Sequence, residues 1–298
     1  MAAPDFLGIG AQKAGTSWLA ENLAKHPEIW IPPFHEIHYF DEIEASPGLE
    51  FPELFDRKHP HANTRFVRIS ELLERPEAMA DGETAKWCLQ WLFQKRTDEW
   101  YLSLFDYPHH ARIAGEITPE YSLLTERTVS AIRSMNPRMK IIFAIRNPLY
   151  RCWSHVAMVF HRFMQVSLAD APEEDVVSFI RGGNVVIRND YVGIAARWKR
   201  IFGEDQLFMF SYEQIARDPH ALILDVCTFL GVSAFPDALA GGLGGKVNVG
   251  TYTDFPLKYK RLIAELTIDY TRNCAETFGG DCVAWLEEAE AVLSLGRP

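Results

Sequence analysis

The sequence predicts an α/β fold: a three-layer domain with a central, mainly parallel sheet flanked by helices. Three observations carry that prediction. A short apolar run, Phe6–Ile9, passes through a tight glycine-bounded loop, Gly10–Gly15, into a helical pattern at Trp18, Leu19 and Leu23 that stops near His26-Pro27. A second run, Lys140–Ile145, holds consecutive apolar residues of the kind that fill a strand buried on both faces. Between and after these, short apolar runs alternate with helical periodicities, which is the pattern of a sheet with crossover helices.

The remaining elements follow in order. Glu28–Ile31 reads as a short strand ended by Pro32-Pro33. Residues 42–82, rich in proline, charge and histidine, are expected to form a surface insertion that shapes a substrate site. Residues 86–105 are unusually aromatic (Trp87, Trp91, Phe93, Trp100, Tyr101, Phe105). Core packing is the favoured role of this stripe, and a wall for an apolar or sugar substrate is the minority role. Ile113–Thr118 is a further strand stopped by Pro119, and a helix runs from about Thr125 to Met135 before Asn136-Pro137. Asp190–Phe202 is amphipathic, Leu207–Phe210 is a buried strand, Leu222–Leu230 is a helix ended by Gly231, and 256–298 reads as two amphipathic helices. One domain spanning 1–298 accommodates all of this.

Bulk composition narrows the function. The 298 residues are 48% apolar and carry a formal charge of −10. Non-specific binding to nucleic acid needs a basic surface, and this balance argues against it, so no nucleic-acid partner is expected. No apolar run reaches the roughly 18 residues of a membrane span. No signal-peptide pattern precedes the first strand, so the expected location is the cytoplasm. The five cysteines form no C-x-x-C pair and no zinc spacing, so no metal is expected; they read as reduced buried thiols, with pairing of Cys274 and Cys282 left open for an oxidising setting.

The chemistry concentrates in three stretches. Strand, glycine loop and helix aim backbone N–H groups and the helix dipole at an anion, which makes the domain P-loop-like. Ala14, Gly15, Thr16, Ser17 and Trp18 supply that backbone and two hydroxyls, and Lys13 supplies a positive charge inside the loop. A nucleotide kinase loop would place lysine directly after the second glycine, where Thr16 stands. In the second stretch Arg146 ends a buried strand and Ser154 lies eight residues on, about two turns into the following helix. A guanidinium and a hydroxyl so placed can hold a phosphate. Arg151 reads as an exposed salt-bridge residue. In the third, Phe34-His35-Glu36-Ile37-His38-Tyr39-Phe40-Asp41 packs one carboxylate and two imidazoles into four residues between apolar neighbours, where burial can fit a glutamate for base catalysis; a polar loop with a solvated glutamate and capping histidines is the competing reading.

Lys13-x-Gly15-Thr16 resembles the 5′-phosphosulfate loop of sulfotransferases that use 3′-phosphoadenosine 5′-phosphosulfate (PAPS). Arg146-Asn147-Pro148 with Ser154 resembles their 3′-phosphate site, and Glu36–Asp41 resembles a segment of the heparan sulfate 3-O-sulfotransferase branch. The likeness continues through Glu116-Ile117-Thr118-Pro119-x-Tyr121 and Ser134–Pro137, and covers residue 6 to about 255. It implies that Ala14, Gly15, Thr16, Ser17 and Trp18 hold the 5′-phosphosulfate and that Lys13 stabilises the leaving oxygen. It also implies that Arg146 and Ser154 hold the 3′-phosphate and that Glu36 takes the acceptor's proton with His38 and Asp41 in support. Asn248, Gly250 and Tyr252 would belong to a late loop that closes over the cofactor. Ile117 and Ser17 stand where that branch has lysine and arginine, and both lost charges point away from a heparan sulfate acceptor. The implied reaction is sulfuryl transfer from PAPS to a hydroxyl, less readily an amine, of a small-molecule, lipid or carbohydrate acceptor. A P-loop-type nucleotide kinase and a non-catalytic nucleotide-binding module are the alternatives; the acceptor's identity and the oligomeric state stay open.

Overall fold

Strands that are apolar on both faces demand cover on both faces, and parallel neighbours joined by helices provide it. The computed structural model describes residues 3–34, 36–45, 82–106, 111–236, 241–243 and 254–295. Its five strands are β1 (Phe6–Gly10), β2 (Ile29–Trp30), β3 (Ile113–Ile117), β4 (Lys140–Ile145) and β5 (Leu207–Ser211). They form one sheet in the order β2-β3-β1-β4-β5, and all the described pairings are parallel. β1 is buried throughout, and β4 is buried from Ile141 to Ile145. The chain runs from β1 towards β2 on one side and returns later to β4 on the other. The topological switch therefore lies at the carboxyl edge of β1 and β4, where open α/β sheets bind ligands.

The helices are α1 (Thr16–Leu23), α2 (Phe40–Ala45), α3 (Gly82–Phe93), α4 (Asp98–Ser103), α5 (Glu126–Met135), α6 (Pro148–Met158), α7 (Glu173–Arg181), α8 (Tyr191–Phe202), α9 (Tyr212–Arg217), α10 (Pro219–Leu230), α11 (Leu257–Phe278) and α12 (Asp281–Ser294). A single π turn, Val159–Phe163, prolongs α6. Several helix starts are fixed by side chains: Asn147 accepts from Leu149 N, Asp190 from Gly193 N and Asp218 from Ala221 N. Such caps satisfy N–H groups that the helix leaves open. α1 differs, because Gly15 precedes it and no side chain caps it.

One apolar cluster surrounds the sheet, and a second joins α6, α7, α11 and α12 through residues such as Trp153, Ile180, Ile263 and Val292. The aromatic stripe, apart from the exposed Phe93, belongs to the first. Trp87, Trp91 and Trp100 are buried, with the indoles of Trp87 and Trp100 donating to Leu104 O and Gln90 O. The core role thus prevails over the substrate-wall role. The expected exposure of Arg151 is corrected. Arg151 is wholly buried on α6, where its guanidinium donates to Asn189 Oδ1 at 2.7 Å and to Val185 O. Helical spacing turns it inwards, and the 185–189 turn, distant in sequence, supplies its partners. Cys274 and Cys282 are free thiols buried against each other, and the hydrogen bond from Cys282 raises the Cys274 thiol. Of the expected insertion 42–82, residues 42–45 complete α2 and 82 begins α3, while 46–81 lie outside the described residues. None of the described helices is long and apolar enough to cross a membrane.

Gly15 has φ +95°, and a Cβ there would stand 2.5 Å from Ile215 Cδ1 and 3.2 Å from the Tyr212 ring. Gly15→Ala is expected to cost about 1–3 kcal/mol of stability, read as a lowered urea midpoint; an unchanged midpoint would contradict this account of the loop.

Candidate active site

The loop between β1 and α1 is built to present donors. The first hydrogen bond of α1 runs from Leu19 N to Gly15 O at 3.0 Å. The N–H groups of Thr16, Ser17 and Trp18 thus precede the helical ladder and, with no cap, face outward along the helix dipole. Ala14 contributes differently from expectation, since its N–H closes the turn onto Ala11 O at 3.1 Å. Trp18 keeps only its backbone for a ligand, because its buried indole donates to Leu243 O at 2.8 Å.

Arg146 leaves the end of β4 and reaches this loop. Its Nη1 donates to Lys13 O at 3.0 Å, its guanidinium carbon lies 4.2 Å from the centre of the Tyr212 ring, and its own carbonyl accepts from Tyr191 OH. Burial lowers the pKa of Lys13, the charges of Arg146 and Arg162 lower it further, and Glu36 opposes them. Burial likewise lowers Arg146, with Tyr212 and Glu213 opposing. Two part-buried cations, each disfavoured by burial and one also by the other's charge, fit an anionic ligand. Ser154 is half-buried on α6, and Asn248, Gly250 and Tyr252 lie outside the described residues.

Glu36, His38 and Asp41 come together, as the resemblance implied. His38 sits with Nδ1 2.8 Å from Asp41 Oδ2 and Nε2 3.5 Å from Glu36 Oε2. Burial disfavours its charge, but Asp41 and Glu36 outweigh burial and hold His38 well above its usual value. The imidazolium is thereby the link that fixes Glu36 relative to α2. His38 itself has φ +58°, a strained conformation that something must hold.

That support is Glu116, a wholly buried carboxylate in β3. It accepts from Tyr101 OH at 2.8 Å, Tyr121 OH at 2.9 Å, Thr118 Oγ1 at 2.7 Å and Ile37 N at 3.2 Å. Tyr121 OH in turn accepts from Tyr39 N at 3.1 Å. The backbone on both sides of His38 is therefore tied to one carboxylate. Burial pushes Glu116 up to about 7, with the four donors opposing.

Sequence reasoning missed several of these residues. A glutamate inside the apolar strand Ile113–Ile117 was a legible signal for Glu116. Tyr212 under Arg146, and Arg162 beside Lys13, left no local signal. Glu120, which accepts from Gln12 Nε2 at 3.0 Å and pairs with Arg188 at 2.6 Å, braces the glycine loop from β3's side. His155, next to Ser154, is buried near the charges of Arg151, Arg188 and Lys13, and is driven down to about 2, so it stays neutral. Among the described residues no cluster of His, Cys, Asp and Glu is arranged to hold a metal.

A family model described as the sulfotransferase family matches residues 4–237, and the chain belongs to that family. It is similar in structure to a sulfotransferase from Alicyclobacillus acidocaldarius, with 25% identity, 97% of this chain and 96% of that one covered, and a TM-score of 0.58. The sulfotransferase domain from the curacin biosynthetic pathway shares the fold at 17% identity and a TM-score of 0.53, with 84% and 82% of the two chains covered.

Glu116 yields a pH prediction. A carboxyl whose folded pKa lies above its unfolded value of 4.5 binds its proton more tightly when folded, so its contribution to stability falls as pH rises from 4.5 towards about 7. Glu116→Gln removes this titration. Across that window wild type is expected to lose on the order of 3 kcal/mol relative to the variant, measured by urea unfolding. Parallel profiles for the two proteins would contradict it.

Proposed function

We propose that this sulfotransferase moves the sulfuryl group of PAPS to a hydroxyl, less readily an amine, of a small-molecule, lipid or carbohydrate acceptor. The observation that carries the reading is the position of Lys13. It lies in an uncapped helix-entry loop, its carbonyl bonded to Arg146 and its ammonium within electrostatic reach of both Arg146 and Glu36. Such a site suits a ligand with two separated anionic groups and a reacting centre facing a base.

PAPS, when bound, supplies a sulfuryl group already activated on a phosphate leaving group. The N–H groups of Thr16, Ser17 and Trp18 hold the 5′ end at the start of α1. Lys13 stabilises the negative charge that builds on the departing oxygen, an effect of about 10²–10³ in rate when the donor is pre-positioned. Arg146 offers its planar fork to the 3′-phosphate, with Ser154 as a hydroxyl partner. Glu36 takes the proton from the attacking hydroxyl, worth about 10²–10⁴. His38, held between Glu36 and Asp41, keeps that carboxylate aimed. Ile117, which stands where the heparan sulfate branch has lysine, is wholly buried against Gly8, so position 117 offers no cation to a polyanionic sugar. This supports an acceptor other than heparan sulfate.

The test is transfer of radiolabelled sulfuryl from PAPS to a panel of hydroxyl and amine acceptors. Glu36→Gln is expected to lower kcat by about 10²–10⁴ while its affinity for 3′-phosphoadenosine 5′-phosphate stays near wild type. Lys13→Ala is expected to lower kcat by at least about 10². Normal turnover in Glu36→Gln would remove it as the base.

A further inference from the structure

The family match ends at residue 237, yet the last helix reaches back to the Arg146 site. Asp281, Trp285 and Glu288 are spaced four and three residues apart on α12, and so share one face. Each bonds to a residue that flanks Arg146 or its stacking partner. Glu288 Oε2 accepts from Asn147 Nδ2 at 2.9 Å, directly after Arg146. Trp285 Nε1 donates to Glu213 Oε1 at 3.1 Å, and Asp281 accepts from Ser211 Oγ. Tyr212, between Ser211 and Glu213, carries the ring that lies against the Arg146 guanidinium.

These contacts are further anchored from α11, α6 and α9. Lys260 of α11 donates to Glu288 Oε1 at 2.7 Å, Tyr150 OH donates to the same oxygen at 2.5 Å, and Arg217 pairs with Asp281. Asn147 also caps α6 through its Oδ1, so Glu288 fixes the amide that starts the helix carrying Ser154. The carboxylate of Glu213, oriented by Trp285, is within electrostatic reach of Arg146.

We infer that Asp281, Trp285 and Glu288 form a positioning face that holds the Arg146 guanidinium, its Tyr212 platform and the start of α6 in the geometry that recognises a 3′-phosphate. This rests on the proposed role of Arg146. The face touches no reacting atom and acts through Asn147, Ser211 and Glu213. A guanidinium fork loses its advantage when its plane is free to turn, so loosening the platform weakens binding of the 3′-phosphate and leaves the rest of the nucleotide site intact.

The experiment compares calorimetric affinities for 3′-phosphoadenosine 5′-phosphate and adenosine 5′-phosphate in wild type, Arg146→Ala, Glu288→Gln, Trp285→Phe and Asp281→Asn. Wild type is expected to prefer the bisphosphate, and Arg146→Ala to erase the preference. Each α12 variant is expected to lower the preference by about tenfold, with affinity for adenosine 5′-phosphate unchanged. The near-isosteric Glu288→Gln and Asp281→Asn, at part-exposed positions, keep the test independent of folding. Preserved preference in all three α12 variants, alongside its loss in Arg146→Ala, overturns the positioning face and leaves the reading of Arg146 standing. Equal affinity for both nucleotides in wild type overturns the reading of Arg146 and the inference with it.

Discussion

The architecture of the site depends on a carboxylate that water never reaches. Glu116 is buried in β3, and burying an ionised group unpaired is costly enough to drive it to protonate. Four donors offset that cost, and they come from α4, the turn after β3 and the segment before α2. Because Ile37 N is one donor and Tyr39 N reaches the network through Tyr121, the strained residue between them has its conformation set from both sides. The carboxylate that we assign as base inherits its position from one that does no chemistry.

A parallel sheet makes this economical. Each strand delivers its following loop to the same edge. β1 delivers Lys13 and the start of α1, β3 delivers Thr118–Tyr121, β4 delivers Arg146, and β5 delivers Ser211 and Tyr212. The charges gathered there are unbalanced in a directed way. Burial and the charge of Arg146 depress Lys13, Glu36 favours it, burial depresses Arg146, and His38 is held between two carboxylates. In the proposed reaction the cations Lys13 and Arg146 take the phosphate groups and the carboxylate Glu36 takes the proton.

What the sequence disclosed was what depends on near neighbours. The β1–loop–α1 unit and β4 with Arg146 were legible because apolar periodicity and glycine placement are local signals. The nearness of His38 and Asp41 to Glu36 was expected from the resemblance of Glu36–Asp41, six residues of one chain, while the direct pairing of His38 with Asp41 is seen in the fold. The support beneath it was not legible, since Tyr101, Glu116 and Ile37 meet across about eighty residues of chain. The misreading of Arg151 has the same origin. A charged residue on a helix is ordinarily exposed, and only the fold shows that the 185–189 turn carries the carbonyl and amide oxygens that admit it to the interior. Trp18 and Ala14 were placed in the correct loop, but which of their donors remain available is decided by Leu243 and Ala11.

The central claim is that the loop Gly10–Gly15 and Arg146 together recognise a nucleotide through a 5′ terminal group and a 3′-phosphate, without a metal. Calorimetric titration with 3′-phosphoadenosine 5′-phosphate in chelator, set against ATP with Mg²⁺, tests it most directly. The account predicts metal-free binding of the bisphosphate that is far tighter than binding of Mg-ATP. Preference for Mg-ATP would contradict it and return the loop to nucleotide-kinase chemistry.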